Sequence, residues 1–122
     1  MNTINLQAKL AQITDHWHPR IVGALNDSYV KLVKLKGSFL WHKHEEEDEL
    51  FLVISGVLTI HLREDGQERD LVISPGEFAI IPRGVEHCPV AEEEAAVLLL
   101  EPKTTRNTGD AGGERTVDAE WL

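Results

Sequence analysis

His42 and His44 are separated by one residue within a β-type run, SFLWHKH, so the two-residue side-chain period of a strand points both imidazoles to one face and Lys43 to the other. Beyond the acidic turn from Glu45 to Asp48, Glu49 opens the next apolar run, and a hairpin there brings its carboxylate beside the two rings. A third histidine, His87, follows the Pro82-Arg83-Gly84 turn. Neutral imidazoles and a carboxylate suit one divalent first-row transition metal per chain, and four such ligands leave open positions on a six-coordinate ion. That layout is catalytic rather than structural. Two imidazoles on one strand face also fit an ordinary surface pair, so the flanking residues have to decide.

The flanking residues carry a pattern. Gly37-x4-His42-x-His44-x4-Glu49-x6-Gly56 resembles the first conserved motif of the cupin superfamily, and Gly76-x5-Pro82-x-Gly84-x2-His87 resembles the second, in the same order. Carried over by position, the resemblance implies His42, His44, Glu49 and His87 as metal ligands, with Fe, Mn, Ni or Zn as the cofactor. Two departures lie outside that set: the first glycine sits one residue nearer the histidine pair than usual, and Ala91 stands where an asparagine often closes the second motif. Asp48 competes with Glu49 for the carboxylate position, because the spacing in the family varies by one. Strand parity favours Glu49, which then shares the lumen face with Phe51 and Val53. Leu40, Phe51 and Val53 become the expected apolar walls of a substrate pocket.

Eight β-type runs surround these residues: IVGAL, YVKLVKL, SFLWHKH, ELFLVI, VLTIHL, DLVI, EFAIIP and AVLLLE. Their separators are turn chemistry, with Asp65-Gly66 the strongest hairpin signal. No strand, crossover helix, strand spacing is present, so the fold class is all-β, a single antiparallel barrel. The resemblance makes that a cupin jelly roll. Leu6, Leu10 and Ile13 recur at helical offsets and predict a short N-terminal helix over 5–13, ended before Pro19. The expected organisation is an N-terminal helical arm at 1–18, the barrel at 19–102 and an extended C-terminal tail at 103–122. The tail is either frayed or anchored by Trp121 onto the barrel or another subunit. Leu50, Leu52 and Ile54 make the second face of their strand apolar too, which requires a covering sheet or subunit and predicts a homodimer.

At 122 residues the chain has one domain's worth of sequence. Its formal charge of −9, from 12 basic and 21 acidic residues, repels phosphate backbones and anionic surfaces and argues against nucleic-acid and membrane partners. No apolar stretch approaches bilayer length, and the first residues lack a secretory pattern, so the expected location is cytoplasmic. Cys88 is single and reads as a small buried hydrophobe. His16, His18 and His61 read as surface residues, Arg83 as an exposed turn residue, and Trp41 as facing away from the metal. The function expected is a metal-dependent enzyme, oxygenase- or isomerase-like, acting on a small organic molecule. The alternative is a non-catalytic module that binds or senses a small-molecule ligand.

Overall fold

A computed structural model describes residues 1–122 as one short helix and eight strands. Helix α1 (Leu6–Leu10) is capped by Asn5, whose Oδ1 accepts from the Ala8 amide at 2.9 Å. It is shorter than the periodicity predicts, yet Leu10 and Ile13 both bury against the barrel, so the apolar spacing is used after the helix has ended. The strands are β1 (Arg20–Leu25), β2 (Ser28–Ser38), β3 (Glu49–Ser55), β4 (Leu58–Glu64), β5 (Gln67–Ile73), β6 (Phe78–Ile81), β7 (Glu86–Pro102) and β8 (Glu120–Trp121). The β4–β5 hairpin turns at Asp65 and Gly66, both with positive φ, as a two-residue turn matched to strand twist requires.

Strand β7 organises the barrel. Its first residues pair with β4 (His87 opposite Leu62), while its remainder lies between β2 (Val97 opposite Val33) and β3 (Val97 opposite Val53). The strand can serve both halves because it bulges. Leu35 faces Ala95 and Gly37 faces Ala91, so residues 92–94 stand opposite Lys36 alone and their three glutamates project into solvent. They are solvated inside a continuous strand. Between the halves, Val33, Leu35, Phe51, Val53, Ile60 and Val97 are among the residues of the main core.

The sequence reading differs from the structure in two further places. SFLWHKH is not a strand: β2 stops at Ser38, and the segment carrying His42 and His44 is paired only through an isolated bridge between His42 and His87. The barrel also contains one parallel pair, β1 with β8, because the tail returns along the β1 edge and aligns Trp121 with Ile21. No helix is long and apolar enough to cross a membrane.

Candidate metal centre

The bridge between His42 and His87 brings the first two rings together. The His42 amide donates to the His87 carbonyl at 3.0 Å and the His87 amide returns the bond at 2.8 Å, so the residues are direct cross-strand partners with ring centroids 4.3 Å apart. Two residues on, the His44 carbonyl accepts from the Gly84 amide at 2.8 Å, which ties the loop to the Pro82-Arg83-Gly84 turn. Glu49 enters from the first position of β3. Its carboxylate Oε1 lies 3.5 Å from His44 Nε2 and 3.4 Å from His87 Nε2. Asp48 takes no part, since its Oδ1 accepts from the Arg83 amide and holds the turn.

All four side chains are buried, and one ligand atom from each lies within 4.8 Å of every other. Two donors on the same ion, each at about 2.1 Å, are at most about 4.2 Å apart, so the cluster needs only a small contraction to close on a metal. Orientation is already set. His42 Nδ1 lies 2.9 Å from the Leu40 carbonyl and His87 Nδ1 lies 3.0 Å from the Val85 carbonyl, which places the proton on Nδ1 and leaves Nε2 free to ligate. By contrast, His44 Nδ1 and Nε2, Glu49 Oε1 and His87 Nε2 are buried without any hydrogen-bond partner. Buried polar atoms are rarely left so. A shared cation satisfies Glu49 Oε1 and the facing ring nitrogens at once, and the donor set is that of a first-row metal.

The electrostatics set the two rings of the loop apart around an ionised carboxylate. Burial, reinforced by the neighbouring His87, lowers His42 to about 4. His44 goes the other way: burial disfavours its charge, but the Glu49 carboxylate 3.5 Å from its Nε2 outweighs that and raises it. Glu49 is held well below the usual carboxylate range, its burial penalty overcome by the polar groups of Glu101, His44 and His87 that crowd it.

Glu101 was not anticipated. It lines the lumen beside His42 and Glu49, and its Oε1 accepts from Lys31 Nζ at 2.7 Å in an ion pair that is almost fully buried. Burial and the charge of Glu49 push Glu101 well above its ordinary range, against the pull of Lys31. Its Oε2 has no partner. The signal was strand parity: Lys31 shares the inward face of β2 with Val33 and Leu35, as Glu101 shares that of β7 with Val97 and Leu99.

The lumen itself is small, with a cavity volume of about 40 Å³. Of the three expected walls, only Phe51 lines it. Val53 lies deeper in the core, and Leu40, half-buried, supplies the carbonyl that orients His42. The other walls include Leu35, Leu99, Trp17 and Phe39, and Asn107 reaches in from the tail. Trp17 and Phe39 stack at 4.9 Å beneath the Arg115 guanidinium, and Phe39 meets the His42 ring edge-on at 5.4 Å. Trp17 holds a φ of 61°, unusual for a bulky residue, secured by its indole donating to the Lys36 carbonyl at 2.8 Å.

The remaining polar residues lie away from the cluster. His16 meets Glu94, His18 meets Asp15 and the Asp118 carbonyl, and His61 meets Asp70. Trp41 lies under Arg63, 4.1 Å from ring centroid to guanidinium carbon, and stacks on His61.

Comparison with known proteins points the same way. A family model described as a cupin domain matches residues 29–101, which contain all four cluster residues. A cupin-2 domain containing protein from Shewanella frigidimarina superposes with a TM-score of 0.76 at 40% identity, covering 81% of this chain and 93% of that one. An uncharacterized protein, YdbB, of Bacillus subtilis is 32% identical over 67% of this chain and 70% of its own length. The 3-hydroxyanthranilate 3,4-dioxygenase of Bos taurus is 32% identical over 54% of this chain, an alignment spanning 23% of that enzyme.

Proposed function

From the premise that this chain belongs to the cupin domain family, we propose that it is a metal-dependent oxygenase acting on a small organic molecule. One divalent ion, Fe, Mn, Ni or Zn, is held by His42, His44, Glu49 and His87. The observation that carries this reading is the convergence of four buried ligand atoms, most of them without any other partner. Such a metal, when bound, supplies Lewis acidity and, for iron or manganese, one-electron chemistry at open positions.

The protein's own residues do the rest. Leu40 and Val85 orient two rings through their carbonyls, so the ligands are organised before any ion arrives. Phe51, Leu99, Trp17 and Phe39 give the lumen apolar walls, which strengthen the polar contacts made against them. Glu101 Oε2, buried beside Glu49, is the group placed to hold a proton for a substrate, with Lys31 fixing the other oxygen. The assignment to oxygen chemistry rather than isomerisation rests on the dioxygenase relative, which this chain matches over only part of that enzyme's length. The protein is further read as a cytoplasmic homodimer.

A non-catalytic binding or sensing role at the same site is the second reading, and with the Trp17–Phe39 wall in place the lumen of about 40 Å³ limits either role to a very small ligand. One experiment separates the two. Metal content is measured on untagged protein and on His42→Ala, His44→Ala, Glu49→Ala and His87→Ala variants, followed by oxygen uptake with small hydroxy- and amino-aromatic acids, beginning with 3-hydroxyanthranilate. Near-stoichiometric metal that is lost in the variants, with metal-dependent oxygen uptake, supports the oxygenase. Metal with ligand-induced stabilisation but no turnover supports the binding module. A wild type that takes up no metal on reconstitution overturns the oxygenase, makes the lumen an organic-ligand pocket and moves the binding module to first place.

A further inference from the structure

We infer that the cleft between the C-terminal tail and the β1–β2 hairpin is a second binding site, formed by Lys103, Arg106, Tyr29 and Trp121, and that it takes a small aromatic carboxylate. It lies across the Lys31–Glu101 pair from the lumen: Lys31 lines the cleft and Glu101 lines the metal side. The two cavities share no lining residue, so this site stands whether or not the lumen is catalytic.

Size favours the cleft. Its volume is about 410 Å³, within the range of small-molecule sites, against about 40 Å³ in the lumen. Charge favours an anion. In a chain of formal charge −9, the cleft gathers Lys31, Lys103 and Arg106 against one lining carboxylate, Asp118. Glu101 neutralises Lys31, but Lys103 faces the Tyr29 ring at 5.2 Å and Arg106 donates to the Gly109 carbonyl, so neither cation is committed to a carboxylate.

The aromatic groups favour a flat body on that anion. Trp121 is fixed by backbone pairing, with the Leu122 amide donating to the Ile21 carbonyl at 3.0 Å, yet its residue remains 61% exposed. The anchoring of the tail therefore comes from the strand and not from burial of the indole. The indole meets Tyr29 edge to face at 5.8 Å, which leaves much of its surface to a ligand. A carboxylate beside Lys103 and Arg106 with its ring against Trp121 uses both features together.

The test follows the Trp121 indole N–H resonance in isotope-labelled full-length protein, identified by its loss in Trp121→Phe. The probes are benzoate, the neutral benzamide, and inorganic phosphate. Benzoate should shift the resonance saturably, with benzamide and phosphate each about tenfold weaker or more; Lys103→Met should weaken benzoate by about tenfold while leaving the rest of the spectrum unchanged, and Arg106→Met should weaken it as much, with further shifts confined to the tail around Gly109 and the loop it packs on. The site is disproved by no saturable shift up to about 20 mM benzoate, by equal response to benzamide, or by indifference to both cation substitutions. Benzoate that moves the Trp17 indole resonance and leaves Trp121 untouched places the ligand in the lumen and equally disproves it.

Discussion

His42 and His44 sit two residues apart and are shifted in opposite directions: burial and the neighbouring His87 prevail at His42, whereas at His44 the Glu49 carboxylate 3.5 Å away outweighs burial. His42, depressed to about 4, is already neutral across the ordinary pH range and offers protons no foothold. His44, raised above its usual 6.5, keeps its proton further into neutral pH, and that proton must leave before Nε2 can ligate. Metal affinity therefore rises as pH climbs through 6.5 and falls on acidification, by about tenfold per pH unit for one competing proton. Competition titrations between pH 5.5 and 7.5 should show this slope, and a flat profile would contradict the assignment of His44. The Lys31–Glu101 pair makes a second residue-level prediction. Removing one partner of a buried pair costs about 3–5 kcal/mol, and Lys31→Met should fall near the lower end because Glu101 readily takes up a proton instead of remaining charged. Denaturant unfolding of Lys31→Met and of Lys31→Met/Glu101→Leu should show the double variant recovering most of the loss.

At the scale of elements, the segment that carries His42 and His44 is held from outside the barrel. The tail docks on it: Asp110 accepts from the Lys43 amide at 2.9 Å and returns its own amide to the Lys43 carbonyl at 3.0 Å, while Thr104 donates to Glu47. Gly109 makes this possible. With φ at 54°, a Cβ there would run into the Lys43 carbonyl and the His42 ring. Gly109→Ala should thus lift the tail from the loop and weaken metal binding by about 10–100-fold, the usual range for residues that orient ligands, with little change in far-ultraviolet circular dichroism. Unchanged metal affinity would show that the loop orients itself. Much of this site was legible in the residues alone. The convergence of the four candidate residues, the parity of Glu49 with Phe51 and Val53, and the Asp65-Gly66 hairpin all appear in the fold. The strand through SFLWHKH does not, because a β-type run carries no information on whether a partner lies within hydrogen-bonding reach; the bridge to His87 does the positioning instead. Lys31 and Glu101 were hidden by their types, since one-letter patterning treats a charged residue as outward-facing unless a partner of opposite sign sits diagonally on the next strand. The tail was illegible for the same reason: its contacts depend on where the loop at 43–47 ends up in space.

For the whole molecule, the decisive feature is an apolar face that its own layers only partly cover. On the outside of β3, Leu50 stands opposite Ile80 and Leu100, and Leu52 opposite Phe78 and Leu98. Helix α1 and its extension cover one end, packing Leu6, Leu10 and Ile13 near Ile54 and Leu98, and nothing reaches the other: Phe78 is 61% and Ile80 53% exposed. The face carries no compensating charge on these residues, and β6 pairs only with β3, so its outer edge is open as well. An open edge beside a contiguous apolar surface invites association, and closed symmetric pairing consumes it without leading to fibres. The proposed homodimer would bury this face, and the −9 charge on each copy would limit growth beyond two by repulsion elsewhere on the surface. Sedimentation equilibrium should give twice the chain mass for the wild type. Phe78→Asp with Ile80→Lys should return the monomer with the metal cluster intact, since Leu50, Leu52, Phe78 and Ile80 alternate away from Glu49 and Phe51. A wild-type monomer at micromolar concentration would overturn the dimer, and a variant that stays dimeric would move the interface to another face.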